Sequence, residues 1–124
     1  MANPNLLAAT TASGTTTYLT PTNTTANVLL SNAASSGQVY KINQIVCANV
    51  NGTSAVNATV SINSVAAGGG TAYPVISTIA VPASASVIAV DKTTAIYLME
   101  DKSITVTSGT ASGITYTISY EVIS

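Results

Sequence analysis

Histidine, arginine, tryptophan and phenylalanine are missing from this 124-residue sequence, and cysteine occurs once. Each absence removes a class of chemistry. Histidine is the one side chain whose ordinary pKa lies near neutrality, so the usual general base beside a nucleophile is lacking. With no arginine, and with Lys41, Lys92 and Lys102 as the only cationic side chains, the chain cannot neutralise a run of phosphates. Nucleic-acid binding by counterion release is not expected. The same count argues against an anionic membrane surface. The lone Cys47 precludes an intrachain disulfide, and its neighbours Ile45, Val46 and Ala48 predict a small buried apolar group. The segment Met1-Ala2-Asn3-Pro4-Asn5-Leu6-Leu7 has neither the basic start nor the apolar length of a signal peptide. No stretch approaches the roughly 18 apolar residues of a membrane span. The chain is expected to fold in a cytoplasm.

Charge is scarce as well. Charged residues make up 6% of the chain, about a quarter of the usual level, and the formal net charge is −1. Ser, Thr and Asn therefore have to supply the solubility that Lys and Glu normally provide. What the sequence does contain is aliphatic bulk: hydrophobic residues fill 47% of positions, mostly as Ala, Val and Ile, with six tyrosines as the only rings. β-branched residues in this proportion favour pleated strands. A chain of this length forms one domain able to bury most of its apolar surface without disulfide or metal staples.

The pattern along the chain predicts an extended N-terminal arm over residues 1–14, followed by a single β-domain over 15–124. Strands are expected at Thr15–Thr20, Asn27–Leu30 and Gln38–Val50. In the last of these, Tyr40, Ile42, Val46, Ala48 and Val50 share one parity and point to the core. Asn51-Gly52 is the strongest turn dipeptide and predicts a hairpin to Val56–Asn63, where Val56, Ala58, Val60 and Ile62 alternate with polar residues. Ala66 to Gly70 reads as a flexible loop tip. Tyr73–Val81 is extended, with Pro74 implying a strand edge or start. Short strands follow at Ser86–Val90, Ala95–Met99 and Ser103–Thr107. The clearest one closes the sequence, where Ile114, Tyr116, Ile118, Tyr120 and Val122 alternate with polar residues. Many short strands without a helical period indicate an antiparallel two-sheet β-sandwich, jelly-roll or immunoglobulin-like.

Candidate chemical groups are few. The carboxylates are Asp91, Glu100, Asp101 and Glu121, and the first three lie beside lysines in expected turns. Glu100 and Asp101 with Asp91 fall short of the six to eight oxygen ligands that calcium takes. Gly68-Gly69-Gly70 lacks the lysine and helix of a phosphate loop. No catalytic residue, cofactor or metal is assigned. Tyr40, Tyr116 and Tyr120 fall on apolar faces and read as core, which leaves Tyr18 and Tyr73 for contact with a partner or a sugar.

The runs Val39-Tyr40-Lys41-Ile42 and Ala48-Asn49-Val50-Asn51-Gly52-Thr53, then Val81-Pro82-Ala83, Asp91-Lys92, Ile96-Tyr97-Leu98 and Ser119-Tyr120-Glu121-Val122-Ile123, resemble small virion structural proteins of tailed bacteriophages, of the marine cyanophage type. The resemblance spans about residues 38–124 and consists of turns and strand patterns. Met99-Glu100-Asp101-Lys102 departs from it, standing where relatives carry a Gly-containing acidic turn. The resemblance implies a virion component assembled in the host cytoplasm. On it rests the expectation of a capsid decoration or cement protein, a homotrimer on the major capsid protein or other virion proteins, with Asn3, Pro4, Leu6, Leu7, Tyr18 and Tyr73 as contacts. A neck, tail or fibre protein and a carbohydrate-binding module are the alternatives.

Overall fold

The computed structural model describes residues 3–124. Among them are nine strands and no α-helix: β1 (Ala12–Leu19), β2 (Asn27–Asn32), β3 (Val39–Asn49), β4 (Val56–Asn63), β5 (Ala72–Val81), β6 (Ser86–Val90), β7 (Ile96–Leu98), β8 (Lys102–Ser108) and β9 (Ile114–Ile123). The first sheet runs β1-β9-β3-β6, with β7 also pairing with β3, and the second runs β2-β8-β4-β5. All pairs are antiparallel. The chain crosses repeatedly between two packed sheets in the strand order of a jelly roll, a double Greek key in which the first and last strands lie side by side.

Alternation explains the core. Ile114, Tyr116 and Ile118 of β9 point inward and are fully buried, and Ile104 and Val106 of β8 oppose them from the other sheet. Ile42, Ile45, Cys47, Val60, Val81, Val90 and Leu98 are among the other buried core residues. Burying each such side chain stabilises by about 1.5–3 kcal/mol relative to exposure. Small branched groups thus make the core that aromatic residues make elsewhere.

Polar side chains bridge the two sheets inside this apolar layer. Tyr116 Oη donates to the Thr107 carbonyl at 2.5 Å. Asn32 Nδ2 donates to the carbonyls of Gln38 at 2.9 Å and Leu98 at 3.1 Å. Asn49 Nδ2 donates to Ser54 at 3.0 Å and Val81 at 2.8 Å, while its Oδ1 accepts from the Asn51 amide at 2.7 Å. Buried amides are tolerated here because their donors and acceptors are used.

Four sequence expectations change. β1 begins at Ala12, so its first three residues belong to the sheet and not to the arm. The parity expected in β3 breaks at Asn43, where the pairing with β9 slips between Ile42 and Gln44. After this bulge Ile45, Cys47 and Asn49 are the inward residues, and Val46 and Ala48 face outward. Asn51-Gly52 does not close a hairpin, because β3 and β4 belong to different sheets. It makes an Asx turn instead, with Asn51 Oδ1 accepting from the Thr53 amide at 2.9 Å. Finally, the glycine-rich segment is folded. It closes the β4-β5 hairpin and lies on the outer face of the second sheet, where the Gly68 amide donates to Ser103 Oγ and the Ala67 amide to Ser31 Oγ, both at 2.9 Å.

Candidate assembly surfaces

Among the described residues, the arm, the outer face of the first sheet and its margin carry six of the twelve exposed large hydrophobic side chains, Leu6, Leu7, Tyr18, Ile88, Tyr97 and Met99. The others are spread over β2, β5 and loops. Residues 3–11 fold back along the first sheet instead of projecting from it. Asn5 caps a single 3-10 turn at Leu6–Ala8 by accepting from the Leu7 amide. Thr10 and Thr11 then both donate to the Ser124 carbonyl, which prolongs the β1-β9 ladder. Farther up, Asn3 Oδ1 accepts from the Glu100 amide at 3.0 Å. Asn3, Pro4 and Leu6 line an apolar groove of about 240 Å³ with Val39, Tyr97 and Met99. Leu6 is half-buried there, whereas Leu7 is 98% exposed.

The structure thus brings Asn3, Pro4 and Leu6 together and leaves Tyr18 and Tyr73 apart. Tyr18 stands on the outer face of β1, six residues or roughly 20 Å along the strand from its arm end, and is 75% exposed. Tyr73 belongs to β5, in the other sheet. Two rings on separate sheets offer no shared platform for stacking a sugar.

Cross-strand pairing on the outer face of the first sheet aligns Tyr18, Thr117, Val46 and Ile88 in one row across β1, β9, β3 and β6. On either side of that row, hydroxyls pair with each other: Thr16 with Ser119 at 3.0 Å and Thr20 with Thr115 at 2.8 Å. These bonds fix polar side chains without charge. Sequence reading missed Ile88, Tyr97 and Met99 in this surface. The alternation of Thr115, Thr117 and Ser119 marks the outer face of β9, but nothing local tells which strands lie beside it.

The ionisable groups are dispersed. Among the described residues, no three His, Cys, Asp or Glu side chains converge to hold a metal. Asp91 caps the short turn Lys92–Thr94, and hydrogen bonds from Thr93, then Thr94, hold its carboxyl below the usual range. Burial pushes the Cys47 thiol up to about 12. Burial also raises Tyr116, helped by the neighbouring Cys47, and raises Tyr120, whose ring packs tilted against that of Tyr40 with centroids 5.4 Å apart. No helix among the described residues is long and apolar enough to cross a membrane.

No family model matches the chain, and no curated protein does. Among solved structures, it is similar to a chain of the Bacillus endospore appendages, which form a novel family of disulfide-linked pili. The two share 20% identity with a TM-score of 0.51, over 99% of this chain and 95% of that one. At that identity the likeness is one of fold, and it extends over the whole jelly roll together with the N-terminal arm.

Proposed function

We propose that this chain is a non-enzymatic structural subunit of a virion, a decoration or cement protein that binds the outer surface of the capsid. The observation that carries this reading is the concentration of exposed apolar side chains, Leu6, Leu7, Tyr97 and Met99, on the arm and the sheet margin beneath it. The groove that Leu6, Tyr97 and Met99 line is apolar surface suited to lasting contact with protein, with Lys41 and Glu121 beside Leu6 and Tyr97. Assembly as a trimer on capsid subunits would multiply weak arm contacts into firm attachment. The resemblance to phage virion proteins supports the same reading.

A second reading is favoured by the full-length fold likeness to a pilus subunit, namely that the chain polymerises into a fibre. The covalent linkage ascribed to those pili has no counterpart here. Cys47 is the single cysteine, and it is buried within the sandwich. Copies of this chain would have to assemble without it.

Cosedimentation with capsids that lack the protein tests the first reading. The intact chain is expected to pellet with capsids, and a variant lacking residues 2–11 should stay in solution while melting close to the intact chain. The cut is placed before Ala12 to keep β1 whole. Filaments formed by the purified chain alone, with no capsid binding, would replace the first reading by the second.

A further inference from the structure

The two sheets have four lateral edges, and three of them are interrupted. β5 carries Pro74, two breaks in its register with β4, and Thr78 with a φ of 48°. β2 has a bulge between Val28 and Leu30, and the Ala66–Gly68 turn is hydrogen-bonded to it through Ser31. β6 is five residues long and slips against β3 between Ile45 and Val46. Such irregularities are what natural sheets use to keep a further strand from adding.

β1 has none of them. Its eight residues pair with β9 in unbroken register, without proline or a charged side chain, and nearly all are exposed. Its far side presents unpaired backbone donors and acceptors along the whole strand. An uncharged, regular edge is complementary to itself, because antiparallel strands can pair about a two-fold axis.

We infer that the β1 edge pairs with the β1 edge of a second copy, antiparallel and centred on Thr16. Residues that meet in such a pair must lie on the same face. Centring on Thr16 sets Thr16 opposite its own counterpart, Thr15 opposite Thr17, and Gly14 opposite Tyr18. This register matches a large exposed ring with an empty place. Tyr18 is 75% exposed, and a Cβ built on Gly14 would meet nothing within 4 Å. A ring lying over a cross-strand glycine shields the bare backbone and fixes register. The paired segment, residues 13–19, lies wholly inside β1. Two first sheets then join into one continuous sheet. This goes beyond capsid attachment, which uses the arm, and its failure would leave the cosedimentation result untouched.

The two-fold axis makes a charge exchange decisive. Thr16→Lys places two cations face to face and Thr16→Glu two anions, on an exposed position whose one side-chain bond is to Ser119. Sedimentation velocity of the full chain from about 1 μM to 1 mM should give a reversible dimer. Each variant alone should weaken that dimer by about tenfold or more, with melting unchanged, and an equimolar mixture of the two should restore it. Under mild oxidation Thr16→Cys should form covalent dimers, since directly opposed residues fall within disulfide reach. A wild-type chain that stays monomeric throughout overturns the inference. So does a dimer, trimer or filament indifferent to Thr16→Lys, or a mixture that fails to re-form the dimer.

Discussion

Cys47 shows how far a residue's neighbours in sequence foretell its fate. Its setting among Ile45, Val46 and Ala48 predicts burial, and the thiol is fully buried, with its pKa pushed up to about 12. A thiol reagent should therefore leave the native protein unlabelled at neutral pH and label it once on unfolding. The same shift has a consequence for stability. The folded thiol holds its proton more tightly than the unfolded one, so the stabilisation is complete below the unfolded value of 9.0 and is lost as pH rises toward about 12. Tyr116 and Tyr120 shift in the same direction. Thermal melts should fall progressively above about pH 9 and change little near neutrality, where no histidine titrates. Asn49 is the reverse case, a polar residue expected on the wetter face of its strand and found buried and fully bonded. Asn49→Ala would strand two carbonyls and an amide, and should lower stability by roughly 3 kcal/mol in urea unfolding.

At the level of elements, alternation over five or more residues located the strands well, and turn chemistry located the bends between them. β6 and β9 lie where the pattern put them, and Pro74 does sit on an edge strand. What alternation could not register is a single inserted residue. The bulge at Asn43 exchanges the faces of half of β3, and no side chain in that segment announces it. The glycines reverse roles in a similar way. Gly52, in the strongest turn dipeptide, lacks a positive φ and has ordinary space around it, so Gly52→Ala should change stability by less than about 0.5 kcal/mol. Gly70 lies at φ 70°, and a Cβ there would collide with Ser64 and Val65. Gly70→Ala should cost about 1–3 kcal/mol by the same denaturation. Three glycines in a row read as freedom, yet the outer face of the second sheet supplies Asn63 and Ser103 to hold Gly68, and Ser31 to hold the adjoining Ala67.

For the whole molecule, the first and last strands being neighbours means that folding must close most of the chain into one loop. Refolding followed by tyrosine fluorescence should take milliseconds to seconds, as expected for a fold dominated by distant pairings. The candidate surfaces belong to this scale too, and were only partly legible beforehand. Leu6, Pro4 and Asn3 were identified as arm residues, but Tyr97, Met99 and Val39, which complete their groove, come from β3, β7 and the turn after it. The sequence marks Tyr18 as a contact residue, and its place on an open edge follows only from β1 lying at the end of its sheet. The sequence by itself determined the class of fold, the strands and the absence of histidine chemistry, because these depend on composition and on a period of two that is local to each segment. The tertiary structure alone decided which sheet each strand joins, where the bulge falls and which edges stay open. Those choices depend on which apolar faces bury one another across long stretches of chain, and short-range pattern carries no record of that.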